Sequence, residues 1–142
     1  MPALDFDGAV QAYRRALGAF AAGDPSAAMA LFSRRDDVTL ANPLGPPRRG
    51  WAEVARVAQE AAAHFEAGSV TFEEVSRYAT DDLGYVLQIE RQEGRLAGGG
   101  DTVRISLRVT MVFRREDDGW KVVHRHADPI TTTRSIATII EP

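Results

Sequence analysis

Val103-Arg104-Ile105-Ser106-Leu107-Arg108-Val109-Thr110-Met111-Val112-Phe113-Arg114, followed by Glu116-Asp117-Asp118-Gly119 and then Trp120-Lys121-Val122-Val123-His124-Arg125-His126-Ala127-Asp128, is the stretch that decides the fold of this chain. Side chains alternate faces along a strand. Val103, Ile105, Leu107, Val109, Met111 and Phe113 therefore share one apolar face of a long strand, with arginine, serine and threonine mostly on the other. Glu116 to Gly119 reads as a hairpin turn. On the returning strand the same alternation predicts Trp120, Val122, His124, His126 and Asp128 on one face, two imidazoles and a carboxylate in a row above an apolar floor.

Upstream, Ser69 to Thr80 is rich in Val, Phe and Tyr, Asp81-Asp82 marks a turn, and Leu83 to Glu93 reads as a second strand. Leu96 to Gly100 is a glycine-rich loop. The first half reads as helical. Phe6, Val10, Tyr13, Leu17 and Phe20 form one stripe at helical spacing. Gly23-Asp24-Pro25 punctuates it, with Gly23 in the left-handed position that ends a helix, Asp24 as a cap and Pro25 in a first turn. A short second helix runs through Leu31-Phe32, and Val38 and Leu40 mark a brief strand. Asn42-Pro43-Leu44-Gly45-Pro46-Pro47 breaks regular structure. Trp51, Val54, Ala58, Ala61 and Phe65 define a third helix ended by Gly68. Helices first and a meander of strands afterwards give an α+β layer fold, a curved sheet wrapping helices and leaving a cone between them. The tail after Pro129 is expected to be an extra edge strand or an arm laid on a partner.

A chain of 142 residues fits one domain, and 44% hydrophobic residues suffice for a core. The formal net charge of -3, with no evident basic face, argues against a nucleic-acid partner. The absence of cysteine excludes disulfides, thiol catalysis and thiolate metal sites. Met1 to Asp7 is acidic and lacks the apolar run of a signal peptide. No window has the length of a membrane span. The expectation is a cytoplasmic protein without membrane contact.

In the row His124, His126, Asp128, neighbours on one strand face lie roughly 6.5–7 Å apart, far enough to address two ends of a small substrate. A histidine beside an aspartate gains a partner for its charged form, and a group titrating near neutrality suits acid–base work. The same row has the donor types of a metal site, and a third histidine, His64, lies on a helix. Glu90 and Arg108, on strands expected to pair, are read as an ion pair on the outer sheet face. Phe20, Phe32, Leu40, Trp51, Phe65, Met111 and Trp120 are read as core and pocket wall, since an apolar cavity with a few convergent polar groups is the usual form of a small-molecule site.

The order helix, Gly23-Asp24, short helix ending Leu31-Phe32, Asp36-Asp37-Val38-Thr39-Leu40, Asn42-Pro43-Leu44-Gly45-Pro46-Pro47, Arg49-Gly50-Trp51, helix, and long strands ending Gly119 to His126 resembles the SnoaL-like and ketosteroid isomerase-like branch of the nuclear-transport-factor-2-like superfamily. The likeness covers about residues 5 to 130. It implies one SnoaL-like domain over residues 1–142 with a tail from 131. It further implies a cone-shaped α+β barrel, with three N-terminal helices packed in a curved mixed or antiparallel sheet. A homodimer through the outer sheet face is expected, as is a pocket needing no cofactor and no metal. The superfamily holds isomerases, polyketide cyclases, dehydratases, epoxide hydrolases and non-catalytic binding domains, so fold alone does not choose among them.

In the steroid isomerase pattern the general base is an Asp directly before Pro-x-Gly. Here Asn42 stands before Pro43-Leu44-Gly45, and an amide does not accept a proton at neutral pH. The isomerase's helix-one Tyr aligns with Ala16, with Tyr13 one turn earlier on nearly the same face, and its strand Asp aligns with Met111. SnoaL-like cyclases project His and Asp groups into the cone, the role this likeness implies for His124, His126 and Asp128. The functional expectation is a cofactor-free isomerase, cyclase or dehydratase acting on a small apolar carbonyl compound. His126 or Asp128 would remove a proton, His124 would donate one, and Asn42 and Tyr13 would orient the oxygen. The alternative is a non-catalytic ligand-binding or dimerisation module.

Overall fold

The computed structural model describes residues 4–142. The start of the acidic N-terminus, residues 1–3, lies outside them. The chain runs through helices α1 (Phe6–Ala21) and α2 (Ser26–Ala30), strands β1 (Thr39–Ala41) and β2 (Arg48–Arg49), helix α3 (Trp51–Ala62), and strands β3 (Phe65–Ala79), β4 (Leu83–Leu96), β5 (Thr102–Glu116) and β6 (Gly119–Asp128). The strands form one sheet in the order β2-β1-β6-β5-β4-β3. It is mixed, because β1 runs parallel to β6 while the other neighbours are antiparallel. Three helices packed against a curved, unclosed sheet give the expected α+β cone.

Asp5 starts α1 by accepting the Gly8 N–H at 2.7 Å, satisfying one of the orphan donors of the first turn. Its stripe Phe6, Val10, Tyr13 and Leu17 is buried against the sheet. Gly23 ends this segment with φ 100°, as its position required. Asp24 then caps α2, its carboxylate accepting the Ser26 N–H at 3.0 Å.

The third helix ends earlier than its apolar spacing suggests. Phe65 already belongs to β3, paired with Leu96, and Gly68 lies within the strand, opposite Gly94, rather than at a helix end. The backbones crowd there: a Cβ on Gly68 would meet the Ala21 carbonyl oxygen at 2.7 Å, and one on Gly94 the Ala67 carbonyl oxygen at 2.5 Å. Only glycine admits this approach, so the paired glycines form the crease at which the two strands curl around the end of α1. The C-terminal tail makes a single 3-10 turn, Ile136–Ile139, with exposed isoleucines, and no edge strand.

One end of the cone is packed shut. Phe6 lies 5.5 Å edge-on from Phe113 and 5.3 Å from Trp120, and Tyr13 is 6.4 Å from Phe113 and 5.9 Å from Phe32, measured between ring centroids. Such aromatic pairs add about 0.5–1.5 kcal/mol each beyond the area they bury.

Candidate functional site

The register of β6 is the feature that arranges the site. Val122 pairs with Phe113 but His124 pairs with Val112, so Val123 is an extra residue opposite no partner. A β-bulge of this kind shifts the alternation of everything after it. Trp120 and Val122 face the cone before the bulge, and Arg125 and Ala127 face it afterwards. Arg125 pairs with Met111 and Ala127 with Val109, both buried partners on the inner face.

His124, His126 and Asp128 consequently lie on the outer face of the sheet, beside Val112, Thr110 and Arg108. This corrects their expected placement in the cone. The His124 Nδ1 is 2.8 Å from the Thr39 hydroxyl. Burial, then the charge of His126, push the His124 imidazole below its ordinary value. The Asp128 carboxylate accepts from the Arg108 guanidinium at 2.8 Å and from the Ile130 N–H at 3.0 Å, and stands 3.1 Å from the His126 Nε2. Burial alone would raise its pKa, but the Arg108 and Ile130 donors outweigh burial and hold it below the usual carboxylate range.

Inside the cone, a cavity of about 370 Å³ opens at the end away from the aromatic cluster. Of the expected wall residues, Tyr13, Phe20, Phe32, Leu40, Asn42 and Phe65 line it. Trp51, Met111 and Trp120 do not. The Trp51 ring carries the Arg34 guanidinium at 3.5 Å, Met111 is fully buried beneath Arg125, and Trp120 belongs to the shut end. Asn42 holds its own loop, its side-chain oxygen accepting the Leu44 N–H at 3.0 Å and bringing Pro43 and Leu44 to the mouth. His64, just beyond α3, also lines the cavity.

The polar floor is one that the strand readings missed. Glu90 and Arg125 form a bidentate pair, with Arg125 nitrogens donating to the two carboxylate oxygens at 2.9 and 2.7 Å, and the residues are 4% and 9% exposed. Glu90 thus faces inward and pairs with Arg125, while Arg108 pairs with Asp128 outside. The expected Glu90–Arg108 pair does not form, because Glu90 sits opposite Leu107, a residue of the inner row. Gln88 donates to Glu90 at 2.9 Å and accepts from Arg14 at 3.0 and 2.7 Å. Arg14 also meets Glu74 at 2.9 Å, so an unbroken polar chain leads from the surface to the floor.

Burial opposes the Glu90 charge, but the charge and hydrogen bonds of Arg125 and the Gln88 amide outweigh it, and Glu90 stays ionised below the usual carboxylate range. Arg125 is likewise disfavoured by burial and held charged by Glu90. Burial pushes the Tyr13 phenol up to about 12, against the pull of Arg125, so at neutral pH it is a hydrogen-bond donor. Next to Glu90 on the inner row of β4 stands Gln92, whose buried amide nitrogen has no hydrogen-bond partner in the protein. A signal for this floor was present in the sequence: Gln88, Glu90 and Gln92 recur every second residue, on one strand face.

Among the described residues, no three His, Asp or Glu side chains are gathered as a metal site, and no helix is long and apolar enough to cross a membrane.

A SnoaL-like domain profile matches residues 10–131, and the chain belongs to this family. Among solved structures, it is similar to a proposed calcium/calmodulin-dependent protein kinase type II association domain from Thiobacillus denitrificans, at 26% identity and TM-score 0.73 over 92% of this chain and 100% of that one. A nuclear transport factor 2-like superfamily protein from Salmonella enterica serovar Typhimurium matches at 17% identity and TM-score 0.75, over 89% of each chain. A ketosteroid isomerase-like protein from Erwinia carotovora atroseptica matches at 19% identity and TM-score 0.73, over 89% of this chain and 94% of that one. A search of curated protein sequences gave no match.

Proposed function

We propose that this SnoaL-like domain takes up a small, largely apolar molecule carrying a carbonyl-type oxygen. The observation that carries this reading is the composition of the cavity wall: aromatic and aliphatic side chains surround a few convergent polar groups, Tyr13, Glu90, Gln92 and Arg125. The Tyr13 phenol is protonated at neutral pH and suited to donate to a carbonyl oxygen. Equilibrium dialysis of the chain against 2-acetonaphthone, an aromatic ketone well below the cavity in size, tests the reading. Saturable binding that Phe20→Trp abolishes supports the cavity as the site, and binding untouched by Phe20→Trp removes it.

A catalytic form of the reading is favoured by one observation. A protonated phenol, Tyr13, and an ionised carboxylate, Glu90, line the same cavity, the pairing needed to polarise a carbonyl and remove a neighbouring proton. This would make the protein a cofactor-free isomerase, cyclase or dehydratase. It replaces the roles first expected of His124, His126 and Asp128. The bidentate grip of Arg125 makes Glu90 a weak base, so the binding reading stands first. Exchange of the methyl protons of 2-acetonaphthone in D2O, followed by NMR, separates the two. Exchange faster than the buffer rate and lost in Glu90→Gln indicates catalysis, and exchange at the buffer rate leaves a binding domain.

The outer sheet face supports self-association as a homodimer. Val75, Tyr78, Leu83 and Tyr85 are exposed on β3 and β4, more apolar surface than isolated side chains explain. Light scattering across a dilution series is the corresponding measurement.

A further inference from the structure

We infer that the cavity selects uncharged ligands with a hydrogen-bond acceptor over carboxylates of the same shape, that Glu90 sets this selectivity by occupying Arg125, and that Gln92 holds the acceptor. The inference rests on the small-molecule reading above and goes further by assigning the charge class of the ligand and the residues that decide it.

An arginine on a cavity floor ordinarily suggests an anion site, because its planar fork matches a carboxylate. Here that fork is taken. Both terminal nitrogens of Arg125 donate to Glu90, and one of them also lies 3.7 Å from the Met111 sulfur. Glu90 is in turn fixed by Gln88, whose own oxygen is held by Arg14. The floor therefore presents an ion pair of no net charge, pinned from behind.

A carboxylate entering this apolar space would lose its hydration without gaining a cation, and burying a charge unpaired is far more costly than burying a neutral carbonyl. It would also approach the ionised Glu90. A ketone, ester or amide oxygen meets neither cost. Gln92 supplies what such an oxygen needs. It lines the cavity one inward-facing position along β4 from Glu90, between Val70 and Ile105 on the flanking strands, and its buried amide nitrogen is the donor that the fold leaves without a partner. A buried donor left unpaired is costly, so a ligand acceptor there is favoured beyond its apolar contacts.

Equilibrium dialysis of the full chain with three probes tests this: 2-acetonaphthone, 2-naphthoate and 2-ethylnaphthalene, matched in size and differing in charge and acceptor. The ketone is expected to bind at least tenfold more tightly than the carboxylate and at least threefold more tightly than the hydrocarbon. Gln92→Leu is expected to erase the ketone's advantage over 2-ethylnaphthalene while the hydrocarbon still binds. Glu90→Gln, which frees Arg125, is expected to move the ratio at least tenfold toward 2-naphthoate. Should that variant fail to give the wild-type circular dichroism spectrum, the wild-type ratios and Gln92→Leu decide alone. Equal binding of ketone and carboxylate overturns the charge selection, and a ketone advantage that survives Gln92→Leu overturns the role of Gln92. Binding of 2-ethylnaphthalene without either preference leaves the cavity a ligand site but sinks the inference. Binding of none of the three sinks the small-molecule reading itself.

Discussion

The two faces of β6 carry the same kinds of groups to different ends. Arg125, facing in, is buried and fully engaged with Glu90. Asp128 and His126, facing out, are in contact with each other and with the half-exposed Arg108. The inner pair has left water and depends on geometry for its existence. The outer group remains solvated, and its members lean on one another only weakly. What separates the faces is a single unpaired residue, Val123. The difference teaches that the chemical content of a strand says little about a site until the register is known.

Removing the device should have the largest effect. Deleting Val123 restores plain alternation, sends Arg125 and Ala127 outward, and forces His124 and His126 into the cone. The loss of stability in urea unfolding should exceed the roughly 3–5 kcal/mol of a broken buried ion pair, and a fold that survives with a smaller loss would show that the bulge is dispensable.

Next in size is a change confined to the inner face. Arg125→Ala leaves the Glu90 carboxylate buried and unpaired, and should cost about 3–5 kcal/mol. The corresponding outer change, Asp128→Asn, should cost less than about 1 kcal/mol, as is usual for pairs in contact with solvent. Equal losses in the two variants would erase the distinction between the faces.

Acid separates the outer groups more finely. The His124 imidazole is held below its ordinary value, so its contribution to stability is complete above pH about 6.5 and is lost as the pH falls through its lowered folded-state value. Asp128 is held below the carboxylate range, so its contribution persists to about pH 4 and is lost below that. Urea midpoints measured against pH should show a first decline that His124→Gln removes and a second, lower one that Asp128→Asn reduces. A first decline unchanged in His124→Gln would move that titration to another group.

Much of the fold was legible because it rests on repetition. The stripe of α1 and the six alternating apolar residues of β5 each state their burial many times over, so one misread residue changes nothing. The site was legible only in part. Tyr13, Phe20 and Phe65 were placed correctly because they belong to such stripes. His124, His126 and Asp128 were not, since Val122-Val123 looks like ordinary strand and the bulge arises from pairing with β5, not from any local preference. Glu90 was misplaced for a different reason. In β4 the usual pattern is inverted, with Leu87 and Ile89 outward and Gln88, Glu90 and Gln92 inward, because the interior of this cone contains a polar floor and the exterior an apolar sheet face.

The glycine pair at positions 68 and 94 has a bearing on how such a cone diversifies. The crease is fixed by main-chain contacts, with Gly68 against the Ala21 carbonyl and Gly94 against the Ala67 carbonyl. The curvature of the scaffold at this end is therefore written in two positions that present no side chain to a guest molecule. Residues such as Phe20, Phe65 and Gln92 are free to be exchanged one at a time, each altering the lining without unbending the sheet. A vessel whose shape and inner surface are specified by separate residues can change its contents while keeping its form.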